Sequence, residues 1–217
     1  MAEGVWRKLN NRLKQYGPST LVKRIAKKGL SFIGIEKEIF LYCAFDLREI
    51  FREKSLPEGY TGRLLSYDDL LNHSAIPISE DKLAIFKKRL STPGYSAVGI
   101  FFNGLLVGYA WLSMHKIERL LPNLEDDLQL AENEGYLLDA FSHPEHRGKG
   151  FHPFYTWWRY DAIKRAGKTY AVTIIDEDNR SARTAQAKSG FKVLKKLIVK
   201  KNFGRQFCIS VPTNMPL

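Results

Sequence analysis

Residues 135–152 read GYLLDAFSHPEHRGKGFH, and three kinds of local order meet there. GYLLDAFS is rich in strand formers; it runs through His143-Pro144 into the turn EHRGKG, and a helix is expected from about Phe151 to Ala166. A glycine turn between a strand and a helix is an anion site in physical terms. Gly148 and Gly150 let the backbone turn inward, and the first N–H groups of the helix have no partners within it. A pyrophosphate would fit there. A solvated turn carries the same short glycine pattern, so the reading depends on what surrounds it. Two nucleotide motifs are excluded. A P-loop needs four residues between its glycines and Lys followed by Ser or Thr, whereas Phe151-His152 follows Gly150; the three spaced glycines of a dinucleotide fingerprint are missing too.

Upstream, YSAVGIFF and LLVGYAWLS flank Asn103-Gly104, two residues that tolerate positive φ, so an antiparallel hairpin is expected. EIFLYCAF (38–45) and GYTGRLLS (59–66) read as strands, and Tyr67, Asp68 and Asp69 open a helix. A second helix is expected over Glu80 to Leu90. Downstream, TYAVTIID (169–176) is a strand, NRSARTAQAKSGF a helix ended by Gly190, and 192–200 and 204–210 two further strands. The fold class is therefore α/β (α+β), with one central, mixed, mostly antiparallel sheet flanked by helices. The boundary falls near Leu56-Pro57-Glu58-Gly59, so residues 1–57 form an added N-terminal element: a basic extension of two short helices in the first 30 residues, then one strand.

At 217 residues with 44% hydrophobic content, the chain can bury one sizeable core. Its net charge of +11 is unevenly placed. Residues 1–34 hold eight Lys or Arg against Glu3, and 192–205 add six cations with no acid. Between them, 117–134 carries Glu118, Glu125, Asp126, Asp127, Glu132 and Glu134 against Arg119. Cys43 and Cys208 form no metal-like or redox-like pair, and MAEGVWRKLNNRLKQYG lacks the apolar core of a secretion signal. A cytoplasmic protein is expected, with peripheral contact to the inner face of a membrane left open. His143, His146 and His152 have no companion cysteine, so no metal is implied.

Two signatures, in order, resemble the GNAT superfamily of N-acetyltransferases. That family's cofactor loop reads Arg or Gln, two residues, Gly, one residue, then Gly or Ala, after a strand and Pro; here Pro144, Arg147 and Gly150 stand in register. Its second signature, Asn, two residues, Ala and a later Gly-Phe, is matched by Asn179, Ala182, Gly190 and Phe191. The likeness covers about 58–212, so 58–217 is expected to form a GNAT-like acyl-CoA-binding domain. Two positions depart from the pattern: His152 replaces the last small residue of the loop, and Gln186 stands where the family commonly has a Tyr that protonates the leaving thiolate, which Gln cannot do.

The resemblance implies acetyl-CoA or another acyl-CoA as co-substrate. Arg147, Gly148, Lys149, Gly150, Phe151 and His152 would hold its pyrophosphate, the backbone of Phe141 and Ser142 its pantetheine arm, and Asn179 belongs to the same cofactor set. An amine would attack the thioester directly, so Cys43 and Cys208 are not expected nucleophiles. An alkyl amine is protonated at pH 7 by about three units, and freeing its lone pair costs about 4 kcal/mol, so a general base is useful. Asp139 within the motif strand and Glu134 just before it are the candidates, with Asp139 preferred; a structural hydrogen bond and a solvated loop acid are the plainer readings of the two. Tyr136 and Tyr155 could stand in for the missing acid, although aromatic residues here belong more often to the core. Trp157, Trp158 and Tyr160 are expected core.

The acidic segment suits a cationic acceptor such as a polyamine, an aminosugar or a lysine side chain, or is a solvated loop. The main alternative function is a catalytically degenerate GNAT-like binder whose basic ends attach to anionic membrane or, less favoured, nucleic acid. A longer acyl group is a third reading, and a homodimer is among the expected assemblies.

Overall fold

The computed structural model describes residues 35–49, 51–118, 128–202 and 205–213. The expected N-terminal helices with their basic cluster, and Glu125, Asp126 and Asp127 of the acidic segment, lie outside the described residues.

Hydrogen bonding joins eight strands in the order β10-β9-β1-β8-β7-β4-β3-β2. These are β1 (Ile35–Asp46), β2 (Tyr60–Leu64), β3 (Tyr95–Phe102), β4 (Leu105–Ser113), β7 (Glu134–Ser142), β8 (Tyr170–Asp176), β9 (Lys192–Asn202) and β10 (Arg205–Pro212); β5 (Lys116–Ile117) and β6 (Leu128–Gln129) form a separate short pair. Among the described residues four α-helices accompany them: α1 (Tyr67–Leu71), α2 (Glu80–Ser91), α3 (Phe151–Arg165) and α4 (Arg180–Lys188). The sheet is mixed as expected: β7 runs parallel to β8, while the pairs β2–β3, β3–β4, β4–β7, β1–β9 and β9–β10 are antiparallel. The short β5–β6 pair has no counterpart in the sequence reading, because two-residue strands carry no periodic signal.

The described chain divides into two compact units. In the first, made of residues 35–45, 173–202 and 205–213, β9 lies between β1 and β10, and α4 follows β8. Phe45 meets Phe191 with ring centroids 6.0 Å apart, among buried Leu41, Cys43, Val193, Leu197 and Val199. Both cysteines are free. Burial pushes the Cys43 thiol up to about 12, which fits a packing role rather than nucleophilic chemistry.

The second unit, residues 46–49, 51–118 and 128–172, holds the candidate site. Asn103 (φ 50°) and Gly104 (φ 80°) close the β3–β4 hairpin as their chemistry demands. On one side of this ladder Phe151, Phe154 and Tyr155, the apolar stripe of the first turns of α3, pack with Val98, Ile100, Val107 and Ala110. Trp157 and Trp158 join that cluster only partly buried, while Tyr160 is fully buried. Gly108 makes this approach possible: a Cβ there would lie 2.1 Å from the Tyr155 hydroxyl, which donates to the Phe141 carbonyl at 3.3 Å. No helix among the described residues is long and apolar enough to cross a membrane.

Helix α1 starts on a capping box. The Ser66 hydroxyl accepts from the Asp69 amide while the Asp69 carboxylate accepts from the Ser66 amide at 2.9 Å. Asp69 is 3% exposed. Burial alone would raise its pKa, but hydrogen bonds from Arg63 and Ser66 outweigh burial and bring it to about 2. The folded value lies below the unfolded one, so the stabilisation is complete above pH 4 and disappears as pH falls toward 2; its size is on the order of 2 kcal/mol. Asp69→Asn should therefore lower the unfolding free energy by about 2 kcal/mol at pH 7 and flatten the loss of stability between about pH 4 and pH 2. Urea denaturation at stepped pH measures both effects, and an unchanged acid limb would refute the assignment.

Candidate active site

Strand β7 carries the site because its ladders are incomplete. It pairs with β8 only over Glu134–Tyr136 and continues to Ser142 against β4. Opposite Ala110 and Trp111 its register slips, with Ala140 facing Ala110 and Leu138 facing Trp111, so Asp139 is the extra residue of a bulge. Asp139 has φ 37°, in the left-handed region that Asp tolerates better than most side chains. The bulge re-aims the side chain. Strand alternation, which left the facing of Asp139 open, is suspended at that residue.

The Asp139 carboxylate accepts from Arg89 Nη1 at 2.9 Å through Oδ2, and Lys82 Nζ lies 3.6 Å from Oδ1. Arg89 also donates from Nε to Glu118 Oε1 at 2.7 Å and pairs through Nη2 with the other Glu118 oxygen. Its guanidinium lies 5.1 Å from the Trp111 ring centroid and 5.6 Å from that of Phe86. Burial opposes the Arg89 charge, but the two carboxylates outweigh it and raise its pKa. Tyr109 and Tyr136, in the same neighbourhood, are pushed up first by burial, and the nearby carboxylates add to the shift. Both phenols stay protonated at neutral pH. Glu134 is engaged differently: its carboxylate accepts from the Ala131 amide at 3.0 Å, closing the turn before β7.

At the far end of β7 the chain makes a 3-10 turn, Pro144–His146, and reaches α3 through Arg147, Gly148 and Lys149. Gly148 (φ 78°) and Gly150 (φ 79°) both have left-handed backbones, and a Cβ at either would meet nothing within 4 Å. Glycine is needed there for conformation rather than for space. Gly150 is the N-cap of α3 and supplies no side-chain cap. Arg147 and Lys149 are exposed beside it, and Arg147 Nε reaches back to the Ser142 carbonyl at 3.3 Å. Unpaired N–H groups at a helix start, with two flanking cations, suit a di-anion; Pro153 in the same turn contributes no donor. Tyr155, buried with its hydroxyl on the Phe141 carbonyl, has a phenol pushed up by burial, which makes it a reluctant acid.

No family profile matches the sequence, and no curated protein matches it. Solved structures do. A Drosophila protein superposes with a TM-score of 0.55 at 14% identity, over 84% of this chain and 57% of its own. The tandem GNAT protein from the clavulanic acid biosynthesis pathway gives 0.54 at 14%, over 82% of this chain and 55% of its own. A GCN5-related N-acetyltransferase from Sphaerobacter thermophilus gives 0.51 at 13%, over 94% of this chain and 60% of its own. The chain has the GNAT fold. At these identities the likeness speaks for architecture alone, and the chain spans 55% to 60% of the length of the three structures.

On this GNAT fold, Phe141 and Ser142 end β7, and Arg147 to His152 form the loop and first turn of α3; His152 is exposed. Asn179 belongs to the other unit, where its side chain accepts from the Ala182 amide at 3.1 Å and caps α4. Sequence reading missed Lys82, Arg89 and Glu118 as members of the Asp139 cluster. The spacing of Lys82 and Arg89, seven residues apart on α2, places them on one helical face and was the available signal. It also missed what holds the loop: Tyr60 on β2 is hydrogen-bonded through its hydroxyl to His146 Nδ1 at 2.9 Å, and the His146 ring lies 5.3 Å from that of Phe102.

Tyr60→Phe removes that hydroxyl while keeping the ring. Amide hydrogen exchange across residues 143–147 should accelerate several-fold, with a stability loss of about 1 kcal/mol. Unchanged protection of that turn would show that the Tyr60–His146 contact does not fasten it.

Proposed function

We propose that this chain is an acyltransferase that moves an acetyl or other acyl group from coenzyme A to a primary amine by direct attack in a ternary complex. The observation that carries the reading is the end of β7: a strand with its β8 ladder broken off at Tyr136 leads into a doubly left-handed glycine loop and an uncapped helix start. An extended thioester arm suits the strand edge and a pyrophosphate suits the loop. Arg147 and Lys149 would flank the phosphates; the amides of Gly150, Phe151 and His152 would donate to them; and Phe141 and Ser142 would offer main-chain groups to the arm. Asn179 remains proposed as part of the cofactor set, through its cap on α4.

In this mechanism the amine nitrogen attacks the thioester carbonyl carbon, the C–S bond breaks, and the amide and the thiol are released. A backbone N–H beside the carbonyl stabilises the oxyanion. The acceptor arrives as an ammonium, and Asp139 is the proposed base: the bulge directs its carboxylate away from the regular ladder, toward Arg89, the Tyr109 hydroxyl and Lys82, whose Nζ is 3.6 Å from Oδ1. Glu134, whose carboxylate closes a turn, is the weaker candidate. With Gln186 in place of a family acid and Tyr155 hydrogen-bonded and buried, the thiolate takes its proton from solvent.

Acetyl-CoA at about 100 times its dissociation constant should stabilise the protein by about 2.7 kcal/mol. Gly150→Glu would add backbone strain to the charge it introduces, so the cleaner variant is His152→Glu: the position is exposed, and a carboxylate in the first turn suits the helix dipole. Calorimetry should find acetyl-CoA weakened by about tenfold or more in this variant, a loss of at least about 1.4 kcal/mol, with the melting temperature of the free protein unchanged. Absence of acetyl-CoA binding to the unaltered protein would overturn the reading in favour of another acyl donor or a non-catalytic binder. With an accepted amine, Asp139→Asn should lower kcat by about a hundredfold while leaving acetyl-CoA affinity within about twofold. A kcat within about threefold of the unaltered protein would remove Asp139 as the base.

A further inference from the structure

The side chain of Lys82 is already where a cationic ligand would be held. Its ammonium lies 3.6 Å from Asp139 Oδ1, 5.3 Å from the ring centroid of Phe86 and 5.4 Å from that of Tyr109. One carboxylate and two aromatic faces make a small box suited to a primary ammonium on an alkyl stem. Phe86 and Tyr109 are 0% and 1% exposed, so both rings are kept from water.

The two cations of the cluster are held very differently. Arg89 is 9% exposed in its side chain and bound by both Glu118 and Asp139, so its charge is fixed in place. Lys82 is 39% exposed, and its contact to Asp139 exceeds a normal N–H···O length. Lys82 and Arg89 together balance Glu118 and Asp139. Withdrawing Lys82 leaves one net negative charge directed at an aromatic box, which can be neutralised by another ammonium.

We infer that Lys82 is a resident occupant of a primary-ammonium site built by Asp139, Phe86 and Tyr109, and that the ligand of this site is an alkyl chain ending in –CH2–NH3+ that enters by displacing the Lys82 ammonium. Substrate binding is then an exchange of one lysine-like group for another, and the affinity of the unaltered protein for simple amines is reduced by its own side chain. That the bound amine is subsequently acylated rests on the acyl-transfer reading; the exchange itself does not.

The probe is n-butylammonium, with 1-butanol as its uncharged counterpart. Ligand-observed NMR and calorimetry should show n-butylammonium binding about tenfold more tightly to Lys82→Met than to the unaltered protein, no such gain for 1-butanol, and loss of the gain in Lys82→Met/Asp139→Asn. Acetyl-CoA affinity should be unchanged by Lys82→Met; if acetyl-CoA fails to bind either protein while the amine result stands, the acyl-transfer reading fails and the ammonium site survives. Equal amine affinity for Lys82→Met and the unaltered protein, or a gain that persists without the Asp139 charge, overturns the inference. Should Lys82→Met not fold, Lys82→Gln makes the same comparison, and in the unaltered protein n-butylammonium, but not 1-butanol, should shift the Lys82 ε-methylene signal. A static signal overturns the exchange.

Discussion

A guanidinium withdrawn from water needs carboxylates beside it, and Arg89 is the residue around which the candidate site is organised. It projects from α2, takes Glu118 at the end of the β5 segment and Asp139 at the β7 bulge, and lies over the Trp111 and Phe86 rings. Three chain segments far apart in sequence are thereby tied to one cation. The bulge is part of that arrangement. A strand in regular register would give Asp139 a partner on β4 and a side chain in the ordinary alternation. The slip between Ala110 and Trp111 frees the residue, and the left-handed φ it adopts costs about 1 to 3 kcal/mol, which the contacts to Arg89 and Lys82 help to offset.

The anion end of the site depends on a different constraint, the docking of α3. A helix N-terminus is useful to a ligand only if its direction is settled before the ligand arrives. Phe151, Phe154 and Tyr155 settle it by burial in the first turn and a half, and Gly108 gives the Tyr155 hydroxyl the room to reach Phe141. The same tyrosine thus links the helix that follows the loop to the strand that precedes it. Tyr60 and His146 add a second link from β2 to the intervening 3-10 turn. The loop between these anchors contains the two glycines, so the left-handed backbone falls where the chain must turn into α3.

Most of the scaffold was legible because it is written in local chemistry. Asn103-Gly104 signals a hairpin through its φ preferences, Tyr67, Asp68 and Asp69 announce a helix start, and the passage from GYLLDAFS through RGKG to a helix is visible in composition alone. The Asp139 cluster was legible in one residue out of four. Nothing in a strand pattern says where its register slips, and a bulge is the event that makes period-two reasoning fail. Arg89 and Lys82 were hidden for another reason: on a helix with cations at 82, 87, 88 and 89, no local rule says which ones turn toward carboxylates supplied by β7 and by Glu118.

This separation bears on how far architecture informs chemistry here. The solved structures that share the fold do so at 13% to 14% identity, a level at which most side chains differ. Backbone features do not depend on side-chain identity: a broken ladder, a glycine turn and an uncapped helix start present N–H groups whatever the side chains are. Cofactor binding of the kind proposed draws mainly on those groups. Recognition of an acceptor of the kind proposed would draw instead on Lys82, Phe86, Arg89, Tyr109, Glu118 and Asp139, all of them side chains, and five of the six lie outside the two signatures and the strand that leads into the first. The backbone features proposed for the cofactor and the side chains proposed for the acceptor therefore reside in physically different parts of the same unit. The charge balance around Arg89 is a property of this particular sequence, and any acceptor of the proposed kind would have to satisfy it.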